Sequence, residues 1–187
     1  MRRLALLSAF TIICSSASAQ TGAGGFVYGK DHAYFLEAPK GWVLDSGDAA
    51  KEKVGGVFHP VNAHWPESGV IIYTDFYTKR KGLQTPSDAM RNDVALFQKE
   101  GSVVHSTKKP SIKTNIGGLV GDVYHFGPDR RGQYDARAYF TYKGYIDYFV
   151  LTARDKATFQ KSLAAFEHVV RSFAPQLKVI HEPAKKT

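Results

Sequence analysis

The segment from Tyr145 to Ala153 constrains the fold more than any other. Read with the two-residue period of a strand, it places Tyr145, Phe149, Leu151 and Ala153 on one side and Ile146, Tyr148 and Val150 on the other. Both faces are apolar. Such a strand is stable only inside a sheet that is covered twice, so the sequence demands helices or a second layer over each face.

The neighbouring segments supply the sheet and its covers. Phe26 to Lys30 and Ala33 to Ala38 read as a first hairpin, and Val54 to His59 and Val70 to Thr78 as the next strands. Val103 to Ser106, Leu119 to Phe126 and Tyr134 to Lys143 follow, with Lys143-Gly144 as the turn into the doubly apolar strand. Thr85-Pro86-Ser87-Asp88 combines a capping hydroxyl, a proline suited to the first helical turn and an acid at the positive end of the dipole. It predicts a helix from Pro86 to Glu100, stopped by Gly101 in the left-handed conformation. A second helix is predicted from Lys156 to Phe173, with Asp155 as its cap and Phe159, Leu163, Phe166, Val170 and Phe173 as one apolar stripe. No repeat or linker divides the chain, so the expected organisation is a leader at 1–19, one domain at 20–174 and a basic tail at 175–187.

The leader decides location and redox chemistry together. Arg2 and Arg3, the apolar run from Leu4 to Cys14 and the small residues Ala17-Ser18-Ala19 have the pattern of a secretory signal peptide, predicting export to the periplasm or beyond after cleavage at Ala19. The apolar run is too short to span a bilayer, and no later segment is long and uncharged enough to do so. Cys14 is the sole cysteine of the 187 residues and lies in that leader. Disulfides, thiolate nucleophiles and cysteine metal sites are thereby excluded from the mature chain. From Gln20 onward 23 basic residues face 17 acidic ones, a net charge of +6 with histidine neutral. The excess sits in the clusters Lys79-Arg80-Lys81, Lys108-Lys109, Arg130-Arg131 and Lys185-Lys186, beside turn residues. Export argues against nucleic acid as the partner, and these clusters instead offer weak contact with anionic envelope surfaces.

Chemistry-bearing residues are most concentrated between His59 and Glu67. There two imidazoles, His59 and His64, an indole, Trp65, and the Glu67 carboxylate share a proline-stiffened stretch. With Trp42 they would make an aromatic and polar contact site for a partner protein or small ligand, although an indole directly after Pro39-Lys40-Gly41 also suits packing into the end of the core, which would leave Trp65 as the exposed ring. A transition-metal site on His59 and His64, serving a metal-binding protein or a metal-dependent hydrolase, is the alternative, although no His-Glu-x-x-His motif accompanies them. The carboxylates Asp45 and Asp48 fit solvated loop acids. Tyr134, Tyr139, Tyr142, Tyr145 and Tyr148 fit cross-strand packing pairs of the last hairpin. No Gly-x-Ser-x-Gly elbow and no glycine-rich phosphate loop is present, so neither an esterase nor a nucleotide enzyme is indicated. The expectation is a non-catalytic module without a cofactor or a catalytic residue.

Three segments carry a family resemblance. They are Phe35 to Asp45 with its Pro39-Lys40-Gly41-Trp42 turn, Val57-Phe58-His59-Pro60 followed by Trp65, and Tyr139 to Phe173 ending in Arg171-Ser172-Phe173. Together they resemble uncharacterised exported bacterial proteins with a PsbP-like fold. That resemblance implies an α+β architecture, an α/β/α sandwich with a central antiparallel sheet. It also implies a binding or accessory role in the cell envelope, not catalysis.

Overall fold

The doubly apolar segment is an interior strand: Tyr145–Ala153 pairs along its whole length with Val70–Thr78 on one side and Tyr134–Tyr142 on the other. The structure is a computed structural model that describes residues 24–28, 33–63 and 67–176. Its elements run β1 (Gly24–Tyr28), β2 (Ala33–Glu37), β3 (Trp42–Asp45), α1 (Ser46–Glu52), β4 (Gly56–Pro60), β5 (Val70–Thr78), α2 (Pro86–Lys99), β6 (Ser106–Lys113), β7 (Val120–Phe126), β8 (Tyr134–Tyr142), β9 (Tyr145–Ala153), α3 (Lys156–Ser172) and β10 (Ala174–Gln176). Seven strands form one antiparallel sheet in the order β3-β4-β5-β9-β8-β7-β6, and β1-β2-β10 form a small second sheet.

One face of the large sheet carries the main core. Phe58, Ile72, Phe140, Phe149 and Leu151 point toward α3 and the small sheet, where they meet Leu36, Phe166, Val170 and Phe173. Phe173 ties the layers together, its ring centroid 5.1 Å from Phe149, 5.3 Å from Phe140 and 5.5 Å from Tyr34. Each fully buried ring of this kind contributes about 1.5–3 kcal/mol by leaving water.

The opposite face is covered in two separate places. Helix α2 packs on β7, β8 and the start of β9 through Ala89, Phe126, Tyr139 and Ile146, whereas α1 packs on β4 and the start of β5 through Ala49, Val57 and Ile71. The stretch of β5 and β9 between these helices is left open. The predicted α/β/α layering is therefore what forms, with an uneven outer layer.

Local chemistry accounts for the helix ends. Thr85 and Asp88 form a reciprocal capping box, the Asp88 amide donating to Thr85 Oγ1 at 3.2 Å and the Thr85 amide to Asp88 Oδ2 at 2.9 Å. Gly101 follows α2 at φ +78°, where a side chain would be strained. Asp155 accepts from the amides of Ala157 and Thr158, both at 2.9 Å, and starts α3.

Three features differ from expectation. The strand expected at Val103 to Ser106 lies later, at Ser106–Lys113, and Val103 is exposed. β6 is an edge strand carrying Lys108, Lys109 and Lys113, with Pro110 at a register shift, and such edge-protecting residues hide a strand from propensity rules. β3 and α1 are additional elements, joined by Asp45, whose carboxylate accepts from the Asp48 amide at 2.9 Å. The tail expected from Pro175 begins instead with strand: Ala174, Pro175 and Gln176 pair with Phe35, Tyr34 and Ala33. The remainder of that tail and the whole leader lie outside the described residues.

Candidate binding groove

The residues singled out between positions 42 and 67 do not converge. Trp42 is 9% exposed and belongs to the main core cluster. His59 is the fourth residue of β4, not a loop residue, and is 2% exposed. Val43 is its register partner, so strand alternation puts His59 and Trp42 on opposite faces of the sheet. Glu67 lies in an exposed turn, and His64 and Trp65 lie outside the described residues.

His59 is instead gathered with Asp45 and Asp48, which are not loop acids: Asp45 ends β3 and caps α1, and Asp48 lies in the first turn of α1. One donor atom each of Asp45, Asp48 and His59 lies within 4.8 Å of the others. Every one of them has a structural partner: His59 Nδ1 contacts the Pro60 carbonyl at 3.0 Å and Nε2 contacts Asp45 Oδ2 at 3.3 Å. Asp48 accepts from Lys51 Nζ at 2.8 Å. The Asp48 amide, seconded by His59, holds the Asp45 carboxyl below its ordinary pKa.

The larger concentration of polar chemistry is on the open part of the sheet. Strand alternation aligns rows of side chains across β5, β9 and β8: Ile71, Thr152 and Asp135; Tyr73, Val150 and Arg137; Asp75, Tyr148 and Tyr139. From α2, Asp93 reaches down to this lattice. Its Oδ2 accepts from Arg137 Nη1 and from the Tyr139 hydroxyl, both at 2.6 Å, and its Oδ1 accepts from the Tyr77 hydroxyl at 2.5 Å. Arg137 also donates through Nη2 to Asp135 Oδ2 at 2.7 Å, and Thr152 donates to Asp135 Oδ1 at 2.9 Å. The guanidinium carbon lies 4.8 Å from the Phe97 ring centroid and 5.5 Å from that of Phe126, so the cation is held by two carboxylates and two aromatic rings.

These contacts set the protonation states. Burial alone would lower the Arg137 pKa, but Asp135 and Asp93 outweigh it and hold the guanidinium charged, well above its ordinary range. Burial pushes the Tyr73 phenol up to about 12. Tyr77 and Tyr148 are raised by burial first and then by Asp93 and Asp75 respectively. All three phenols are therefore neutral hydrogen-bonding groups at physiological pH.

Two adjoining cavities follow this polar lattice. One, of about 390 Å³, is lined by Glu52, Val57, Ile71, Tyr73, Tyr148 and Thr152. The other, of about 290 Å³, shares Tyr73, Tyr148 and Thr152 and continues past Arg137 to Glu100 and Asp129. Together they make one groove between α1 and α2, floored by tyrosine rings. Tyr148 stacks on Tyr77 at 4.7 Å and meets Tyr139 at 6.5 Å, so the packing role expected for the tyrosines holds for this residue while its other side faces the groove.

The sequence reading missed Asp93, Arg137, Tyr73 and Tyr77. One signal was available: Asp93 interrupts the apolar face of α2 made by Met90, Val94 and Phe97, a position where a carboxylate needs a buried partner.

The arrangement can bind and orient, since it offers aromatic surface, fixed donors and acceptors, and a water-accessible trough. No family model matches the sequence, and no curated protein matches it. Among solved structures, cyanobacterial PsbP (CyanoP) from Synechocystis superposes with a TM-score of 0.52 at 16% identity, over 88% of this chain and 99% of that one. The Ran-binding protein Mog1p of Saccharomyces cerevisiae superposes with a TM-score of 0.52 at 9% identity, over 82% of this chain and 95% of that one. The fold is PsbP-like.

Proposed function

We propose that this chain is an exported, non-catalytic binding or accessory module that holds a partner protein or small ligand in the groove between α1 and α2. The observation that carries the reading is the Arg137 network, which fixes the groove floor in one geometry beside the half-buried rings of Tyr73 and Tyr148. A preorganised polar floor in an otherwise aromatic trough is how a binding site gains affinity without ordering itself on contact. Its fold partners include one protein described as Ran-binding, which accords with a binding role on this scaffold. The leader pattern at 1–19 supports export.

A fragment library screened against the isotope-labelled chain tests the site. The expected hits move the amides of Tyr73, Tyr148 and Thr152 and are lost in Tyr148→Ala. Hits that cluster instead around Glu67, in the 60–69 connection, would move the contact surface to the segment favoured by sequence alone.

A second reading, metal binding, has one specific observation behind it, the approach of Asp45, Asp48 and His59 to within 4.8 Å. Calorimetry with zinc decides it. Stoichiometric binding abolished by His59→Ala supports a site there, and a flat titration removes it.

A further inference from the structure

The groove has a charge of its own, opposite to that of the protein around it. The sequence carries 25 Lys and Arg against 17 Asp and Glu, yet the two joined cavities are lined by five carboxylates and two guanidiniums. Arg137 is 12% exposed and already shared between Asp93 and Asp135, so it has no charge to spare for a ligand. Arg131 is exposed in the turn where its backbone amide donates to Asp129 Oδ1 at 2.8 Å, and one lining cation there leaves the carboxylates in excess. Glu52 and Glu100 mark the two ends of the trough, and neither carboxylate takes part in a hydrogen bond among the described residues. Between them lie the rings of Tyr73, Tyr77 and Tyr148.

We infer that the groove receives a cationic peptide segment, a lysine- or arginine-bearing stretch of a protein partner, with its side-chain stem over Tyr73 and Tyr148 and its charged heads toward Glu52 and Glu100. The inference rests on the groove being the binding site. Three physical terms favour this occupant. An aromatic ring attracts a cation through the negative face of its π system. Rim carboxylates add attraction at each end and steer the approach. The apolar stem of lysine or arginine suits a tyrosine floor that would not reward a fully polar ligand. Arg137 displays the same solution within the fold, a guanidinium set against Phe97 and Phe126 and clamped by carboxylates.

An anionic or neutral occupant fits less well. A carboxylate or phosphate would meet the rim acids, and the single buried cation able to offset them is already matched by two.

The experiment uses hexa-arginine and hexa-glutamate amides, titrated into the labelled chain. Non-specific attraction to a basic protein favours the glutamate peptide, so groove-localised binding of the arginine peptide runs against the overall charge. Hexa-arginine is expected to shift the amides of Tyr73, Tyr148 and Thr152. Its affinity is expected to fall about fivefold in the double variant Glu52→Gln with Glu100→Gln, as two exposed ion pairs would give, and to fall further in high salt. Both substitutions are on exposed helix ends, so folding is kept. Shifts at those amides by hexa-glutamate with equal affinity would overturn the cationic assignment while leaving the groove itself in place. Hexa-arginine that moves only amides elsewhere, or binds the double variant unchanged, would overturn it too. The neutral fragment screen decides separately whether the groove binds anything.

Discussion

The carboxylate of Asp93 on α2 and the guanidinium of Arg137 on β8, 44 residues apart in sequence, meet at 2.6 Å where the ring of Phe97 covers the cation. The contact joins the outer helix to the centre of the sheet. It also fixes the side chain that Tyr77 and Tyr139 use as their acceptor.

Removing one member of this network strands the others. Asp93→Ala leaves two phenols without their acceptor and one guanidinium edge without its carboxylate, and loss of one partner of a buried pair costs about 3–5 kcal/mol. Urea unfolding should show a lower midpoint at unchanged slope, with the product of slope and midpoint shift equal to that loss. A loss of stability under about 1 kcal/mol would mean that water replaces the carboxylate and that α2 is not anchored there.

His125 should govern acid sensitivity in the middle of the range. It sits edge-on to Phe159, ring centroids 5.2 Å apart, and burial, aided by Lys109, depresses its pKa from 6.5 to about 4. Between those values the unfolded chain binds a proton that the folded chain does not, so this contribution to stability is complete above 6.5 and is lost as pH falls toward 4. The slope from one such group is at most about 1.4 kcal/mol per pH unit. Urea midpoints collected from pH 7 to pH 4 should decline in the native chain and decline less in His125→Gln. Parallel curves would refute the assignment.

Gly121 on β7 should tolerate no side chain. A Cβ built there would lie 2.4 to 2.7 Å from three atoms of the Phe140 ring, which is itself wedged against Phe149 and Phe173. Gly121→Ala is expected to cost about 1–3 kcal/mol through overpacking. Combining it with Phe140→Leu should recover part of the loss in a thermal melt.

Trp42 separates the two views of the aromatic residues. As a side chain of the main core it should cost about 3–5 kcal/mol when replaced by Ala, and less when replaced by Phe. In a Trp65→Phe background, which leaves it the sole tryptophan, its fluorescence should resist quenching by iodide in the folded state. Ready quenching together with a small stability loss would show an exposed ring and restore it to the ligand-binding residues.

What the sequence made visible was whatever short-range pattern controls. β5 and β9 begin and end where alternation placed them, and α2 and α3 start at the capping residues Thr85 and Asp155. β6 was obscure because an edge strand is built from lysines and a proline that suppress pairing. β3 and α1 escaped notice because four and seven residues are too few to display a period. The groove was harder still. Arg137 and Asp135 look like the polar side of an ordinary half-wet strand, and only the arrival of α2 overhead turns them into a buried cluster. The concentration of His59, His64, Trp65 and Glu67 was real as composition, but pairing of β3 with β4 turned Trp42 and His59 to opposite faces of the sheet.

The small sheet has a practical consequence. β1 and β10, the first and last described strands, flank the same strand β2 on the α3 side of the molecule, whereas the tyrosine trough opens on the other side. A tether joined next to β1 or β10 would hold the molecule by the face away from the trough and leave the trough free.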